Sequence, residues 1–146
     1  FAAQLKDVPP KQQGFQVDKV LEECNLEDVR GHTIAVLSKG YKQRVGIAQA
    51  IINIPEILIL DEPTIGLDPT QIIQVRGLIK SLEYERTVIL STHILSEIQQ
   101  IAHRVLIIKA GEVVVDKTLK DLLKEFNSDL EDIFLKLHLA KENQEQ

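Results

Sequence analysis

The chain has 146 residues, enough for about one domain with a modest core, and its 44% hydrophobic and 27% charged residues exclude a disordered or fibrous class. Twenty-two acidic residues against 17 basic ones give a net charge of −5, which argues against a dedicated nucleic-acid binder. Cys24 is the only cysteine, so there is no internal disulfide framework, and a reducing cytosol fits.

No apolar stretch approaches the roughly 18 residues that would span a bilayer. The opening "FAAQLKDVPP" lacks a charged segment followed by a sustained apolar run, so it does not read as a secretory signal. The chain starts at Phe1 and contains no methionine, and it is therefore expected to be a piece of a longer chain.

In chain order, "LKDVPPKQQGFQ" reads as a loop broken by Pro9, Pro10 and Gly14. "VDKVLEECNL" places Val17, Val20, Leu21 and Cys24 at helical spacing. Ser38 is expected to cap a helix that turns Val45, Ile47, Ala48, Ile51 and Ile52 inward until Pro55 stops it. Ile57 to Leu60 have no polar alternation, which predicts a parallel strand covered on both faces. Asp68-Pro69 then opens a helix with Ile72, Val75, Ile79 and Leu82 on one side. "TVILST" predicts a second buried strand closed by Ser91, Thr92 and His93, and "ILSEIQQIA" a short amphipathic helix. "RVLIIKAGEVVVD" reads as a hairpin turning at Ala110-Gly111. "LKDLLKEF" and "DLEDIFLKLHLA" are two closing helices, followed by the polar tail "KENQEQ". Strands alternate with helices in the middle of the chain, so the class is α/β.

Four places carry candidate chemistry. In parallel sheets, ligands sit outside the carboxyl ends of the strands, and Asp61-Glu62 is such an end. A hard cation such as Mg²⁺ takes oxygen ligands and keeps several waters, which suits Asp61, while Glu62 can orient or deprotonate an attacking water. Two acids solvated in a strand-to-loop turn fit the same residues. Asp68 is read as the cap of its helix. His93 ends its strand as Asp61 does, and it can contact a phosphate oxygen or serve as an ordinary turn histidine; His32, His103 and His138 have only the latter reading. Ser38 and Gly40 begin a helix whose free N–H groups suit an anion, with Lys42 and Arg44 adding basic character, and an ordinary capped helix fits equally.

The order and spacing of these four features, carried by "LSKGYKQRVGIAQAI", "ILILDEPTIGLDP" and "VILSTH", resemble the ATP-binding cassette (ABC) family, the nucleotide-binding subunits of ABC transporters. Leu37-Ser38-Lys39-Gly40-Tyr41 is similar to the family's signature loop, and Ile57 to Asp61 to its Walker B strand. Glu62 matches the catalytic acid, Asp68 the D-loop and His93 the switch histidine. The likeness covers nearly the whole chain from about Val17. The usual signature reads Leu-Ser-Gly-Gly-Gln, so Lys39 and Tyr41 depart from it, as they do in a branch resembling gliding-motility and multidrug-type ATP-binding subunits. The phosphate-cradling G-x-x-x-x-G-K-[ST] pattern is not found in these 146 residues; Lys80-Ser81 and Lys117-Thr118 follow Ile79 and Asp116 rather than Gly. Nor is the family's Q-loop glutamine recognisable, since Gln4 lacks its setting.

The resemblance implies a partial P-loop NTPase-like fold, with a mostly parallel sheet core and part of the helical subdomain. Residues 1–55 would carry the rest of that subdomain, 56–116 the catalytic core, and 117–146 the closing helices and tail. It implies ATP and Mg²⁺ as cofactors, with Asp61 serving the metal through water, Glu62 the attacking water and His93 the γ-phosphate. Leu37, Ser38, Lys39, Gly40, Tyr41 and Asp68 would face ATP held by a second ATP-binding subunit in a head-to-tail dimer. Transmembrane permease subunits would be the other partners, placing the protein at the inner face of the cell membrane, with no nucleic acid involved. A soluble ABC-type ATPase of DNA repair or translation, and a truncated non-enzymatic remnant, are the alternatives.

Overall fold

The computed structural model describes residues 1–139, and the expected tail at 141–146 lies outside them. The chain divides into two compact units, one running from Phe1 to Ser91 and the other beginning at Thr92.

The first unit opens with a single helical turn, α1 (Ala2–Leu5), and a longer helix, α2 (Gln13–Glu23). The breaker-rich opening is thus a loop only as far as Gln12. Gly14 lies inside α2, where the positions after the two prolines are free to propagate a helix that buries Val20. Short 3₁₀ turns at Glu27–Val29 and Ile34–Val36 lead to α3 (Lys39–Ile51). Then follow β1 (Ile57–Asp61), α4 (Pro69–Leu82) and β2 (Thr87–Ser91).

β1 and β2 pair in parallel, with Ile57 opposite Thr87 and Asp61 opposite Ser91. Parallel neighbours need a long crossover connection, and α4 supplies it. The core forms where α3 and α4 lie against β1: Ile47 and Ile51 from α3, Val75, Leu78, Ile79 and Leu82 from α4, and Leu58 and Leu60 from the strand are all buried. Cys24 and Leu26, at and beyond the end of α2, join the same cluster.

Neither strand is covered on both faces as its composition predicts. Burial along β1 alternates, with Leu58 and Leu60 inside while Ile57 and Ile59 are 58% and 70% exposed; Ile89 of β2 is 51% exposed. The core of this unit lies on the Leu58 and Leu60 side of β1, and Ile57, Ile59 and Ile89 are not part of it. An uninterrupted apolar run gives strand type but not the number of covering layers.

The second unit contains α5 (Leu95–Ile101), the antiparallel hairpin β3 (Arg104–Lys109) and β4 (Glu112–Thr118), α6 (Leu119–Phe126) and α7 (Leu130–Leu139). The hairpin turns at Ala110 and Gly111, both at positive φ (51° and 80°), as a tight two-residue turn demands. Val105, Val115, Leu122, Leu130 and Ile133 form its separate core. Asn127, in the left-handed conformation, terminates α6.

Burial of Cys24 in the first core penalises the thiolate and Glu23 adds repulsion, while Arg44 and Arg86 pull the other way. The thiol is pushed from an ordinary 9.0 up to about 12. A folded chain that holds a proton more tightly than the unfolded chain is favoured below the unfolded pKa and loses that advantage as pH rises toward the folded one. The urea midpoint of the native chain should therefore fall more steeply from pH 9.0 toward about 12 than that of Cys24→Ala. Parallel midpoint-versus-pH curves for the two proteins would contradict this assignment.

Candidate functional site at the strand ends and the α3 start

β1 ends where its neighbour ends, and the pairing brings Asp61 level with Ser91. The Ser91 hydroxyl donates to Asp61 Oδ1. The next backbone N–H, that of Glu62, donates to the Ser91 carbonyl at 3.0 Å and extends the ladder by one bond. Glu62 then adopts a left-handed backbone (φ 45°), which is uncommon for a residue with a side chain and turns the chain sharply off the sheet. The turn continues through buried Pro63 and Thr64, with Ile65 N–H donating to the Glu62 carbonyl at 3.2 Å and Leu67 N–H to the Thr64 carbonyl at 3.2 Å. Asp61 is exposed and Glu62 half-buried, so the two adjacent carboxylates differ in access to water.

Gly66 (φ 67°) completes the turn, and Asp68 caps α4 by accepting from Gln71 N–H at 2.9 Å. Pro69 takes the first helical position, where its missing N–H costs nothing. This is the capped start that Asp68-Pro69 predicts.

Leu37 and Ser38 are extended, and α3 begins at Lys39 with the Ser38 hydroxyl accepting from Tyr41 N–H at 3.4 Å. Gly40 is buried, and a Cβ there would lie 2.7 Å from Cδ of Gln71. The Tyr41 hydroxyl donates to Asp28 Oδ2 at 2.5 Å, and the Arg44 guanidinium stacks 4.3 Å from the Tyr41 ring centre. Lys42 and Arg44 do not lend their donors to an anion site as their sequence position suggests. Lys42 Nζ donates to the Ala35 carbonyl at 2.9 Å, and buried Arg44 donates to the carbonyls of Cys24 and Asn25 at 3.2 and 2.5 Å. Both cations serve the chain's own backbone: Arg44 satisfies carbonyls in the turn after α2, and Lys42 one in the 3₁₀ turn Ile34–Val36.

His93 is not the residue level with Asp61. β2 stops at Ser91, and His93 follows two residues later, exposed, at the start of the second unit. There the Thr92 hydroxyl accepts from Ile94 N–H at 3.1 Å and donates to the fully buried carboxylate of Glu97 at 3.1 Å, bracing the turn that carries the imidazole. Sequence reasoning missed Ser91, Gln71, Thr92 and Glu97 as supports. The signal for Ser91 was register: five residues per strand with matched ends put 61 opposite 91.

Known proteins share this arrangement of segments. A family sequence model described as "ABC transporter" matches residues 3–65, a span holding both the Ser38 helix start and the Asp61-Glu62 strand end. The bacitracin transport ATP-binding protein BcrA of Bacillus licheniformis is 44% identical over 117 residues, which is 79% of this chain and 38% of that protein. The chain belongs to the ABC transporter ATP-binding family. The methionine import ATP-binding protein MetN 2 of Bacillus cereus is 35% identical over 127 residues, covering 86% of this chain and 38% of its own length. A solved ATP-binding subunit of an ABC transporter superimposes with a TM-score of 0.76 at 28% identity, over 94% of this chain and 59% of that one. Clostridium perfringens cbiO1, part of the ABC transporter complex cbiONQ, gives a TM-score of 0.68 at 27% identity, over 90% and 55%. The fold is thus part of the P-loop ATPase architecture of that family, and the chain spans about two fifths of the length of these curated relatives.

The Asp68 cap is open to a simple test. Asp68→Ala removes the acceptor for Gln71 N–H and should lower stability in urea by about 1 kcal/mol, whereas Asp68→Asn, which can still cap, should cost less. Equal losses from both substitutions would assign the effect to charge rather than capping.

Proposed function

We propose that this chain provides part of the ATP-hydrolysing machinery of an ABC transporter, the subunit type that drives transport of a substrate across a membrane. The observation that carries the reading is the Asp61-Glu62 pair at the end of a parallel strand pair, braced by Ser91, in a chain of this family. The roles that its relatives are named for, bacitracin transport and methionine import, favour a transporter over a soluble ABC-type ATPase.

In this reading, exposed Asp61 serves Mg²⁺ through a water molecule. The fit is chemical: a hard cation accepts carboxylate and water oxygens, and Mg²⁺ characteristically takes only one or two carboxylates beside substrate phosphates. Asp61 offers this rim one exposed carboxylate, which suits a mostly hydrated ion. When bound, the ion would neutralise charge on the phosphates. The Ser91 hydroxyl engages one Asp61 oxygen, and the other would be the one to hold the ion through water. Glu62, turned off the strand by its left-handed backbone, positions and deprotonates the water that attacks the γ-phosphate, and His93 holds a γ-phosphate oxygen.

Leu37, Ser38, Lys39, Gly40 and Tyr41, with Asp68, face an ATP held by a second ATP-binding subunit in a head-to-tail dimer. The free N–H groups at the α3 start and the Ser38 hydroxyl provide donors for its phosphates. No described helix is long and apolar enough to cross a membrane, and we assign that task to permease subunits at whose cytoplasmic side this chain works. Residues 1–55 contribute to the helical subdomain, 56–116 to the catalytic core and 117–146 to the closing helices and polar tail.

The 146 residues carry no phosphate-cradling loop, so this chain alone should bind ATP weakly and turn none over. Calorimetric titration checks the first point, and micromolar affinity lost in Asp61→Asn would contradict it. In the assembled transporter, Glu62→Gln should reduce hydrolysis by at least about 100-fold while ATP binding is retained. Unchanged turnover in that variant would remove Glu62 from the catalytic role.

A further inference from the structure

The departure of residue 39 from the family's usual glycine has a structural counterpart within the first unit. The ammonium group of Lys39 lies over Gly66, so close that a Cβ built on that glycine would be 2.1 Å from Lys39 Nζ and 3.4 Å from its Cε. Gly66 is bare and left-handed (φ 67°), and it lies two residues before Asp68. One residue further along α3, buried Gly40 receives the Gln71 side chain, with Cγ and Cδ 2.8 and 2.7 Å from where a Cβ would stand. Gln71 is itself the residue whose N–H is capped by Asp68.

Two adjacent residues of the α3 start therefore grip the two ends of one short segment, Gly66 to Gln71. One contact is a long cation draped over a glycine, and the other a side chain seated on a glycine. Each side chain occupies the space a Cβ would take, and the two glycines lie on opposite partners of the pair. Reciprocal bare positions of this kind let two backbone segments approach more closely than ordinary residues permit.

We propose that Lys39 and Gln71 are positioning residues that clasp the signature loop to the Asp68 turn within one subunit, so that the two segments move as a single body. This rests on the reading above, in which both segments face the partner's nucleotide. A glycine at 39, as the family usually has, supplies no such strap. The clasp makes the placement of Ser38 depend on the placement of Asp68, and Lys39 rather than a bound ligand enforces it.

The clasp is testable without nucleotide, by site-resolved amide hydrogen exchange on the 146-residue chain. The reporters are the N–H groups of Leu67, bonded to the Thr64 carbonyl, and of Gln71, bonded to Asp68. Lys39→Gly should speed exchange at both by about fivefold or more, and Lys39→Arg, long and cationic, should restore rates to within about twofold of the native chain. A lysine that merely stabilises α3 would change exchange along α3 and leave Leu67 unmoved, which would overturn the proposal. So would native rates at both reporters in Lys39→Gly. A size exchange provides the second arm: Gly40→Ala should raise the rates at both Gln71 and Leu67, and adding Gln71→Ala should restore slow exchange at Leu67. Failure of that rescue would contradict the packing assignment. Because ATP is absent throughout, an incorrect nucleotide reading would leave these outcomes untouched, and an incorrect clasp would leave the Glu62 result untouched.

Discussion

The hydrogen bond from Glu62 N–H to the Ser91 carbonyl fixes most of what is distinctive about this chain. It is the last rung of a parallel ladder, and it sets two strand ends level at Asp61 and Ser91. Side chains alternate along a strand, so slipping the pairing by one residue would exchange every inward and outward position of β1. Leu58 and Leu60 would leave the core formed with α3 and α4, and the Ser91 hydroxyl would lose its carboxylate. Hydrophobic burial of two leucines thus holds an acidic pair at a defined height on the sheet rim. Packing and chemistry are coupled through register.

The same economy holds at the α3 start. Arg44 is drawn inward to satisfy the Cys24 and Asn25 carbonyls and to stack on Tyr41, which in turn bonds Asp28. Tyr41 stands where the family usually has glutamine, so in this chain that position supports the turn after α2. The basic residues that looked available for an anion are occupied, so the anion role proposed for this start would rest on backbone N–H groups and the Ser38 hydroxyl. The exposed Ile57, Ile59 and Ile89 face, by contrast, is apolar surface of a kind that soluble proteins usually cover.

Much of this was legible in the residues. Ser38 and Asp68 were recognisable as caps because a short polar side chain before an apolar helical period has few other uses, and both accept the expected N–H. The hairpin at Ala110-Gly111 and the strands at 57–61 and 87–91 followed from turn chemistry and β-branched runs. Other features were hidden because they arise between segments distant in sequence. Nothing local says that Gln71 sits on Gly40, that Lys39 lies over Gly66, or that Glu97 is buried beneath Thr92. Burial of β1 and β2 was overread for a related reason, since an apolar run reports what a strand tolerates and not how many layers cover it. The candidate roles of the strand-end acids were legible from residue chemistry and sharpened by family resemblance, whereas their bracing by Ser91 depends on the register of two strands distant in sequence.

The account stands or falls on the register at the strand ends. A through-hydrogen-bond scalar coupling between the Glu62 amide nitrogen and the Ser91 carbonyl carbon, measured by NMR on the isotopically labelled chain, tests it most directly. The structure predicts a resolved coupling between that pair. A coupling from Glu62 to the carbonyl of Leu90 or Thr92 instead would contradict the register and the acidic rim built upon it.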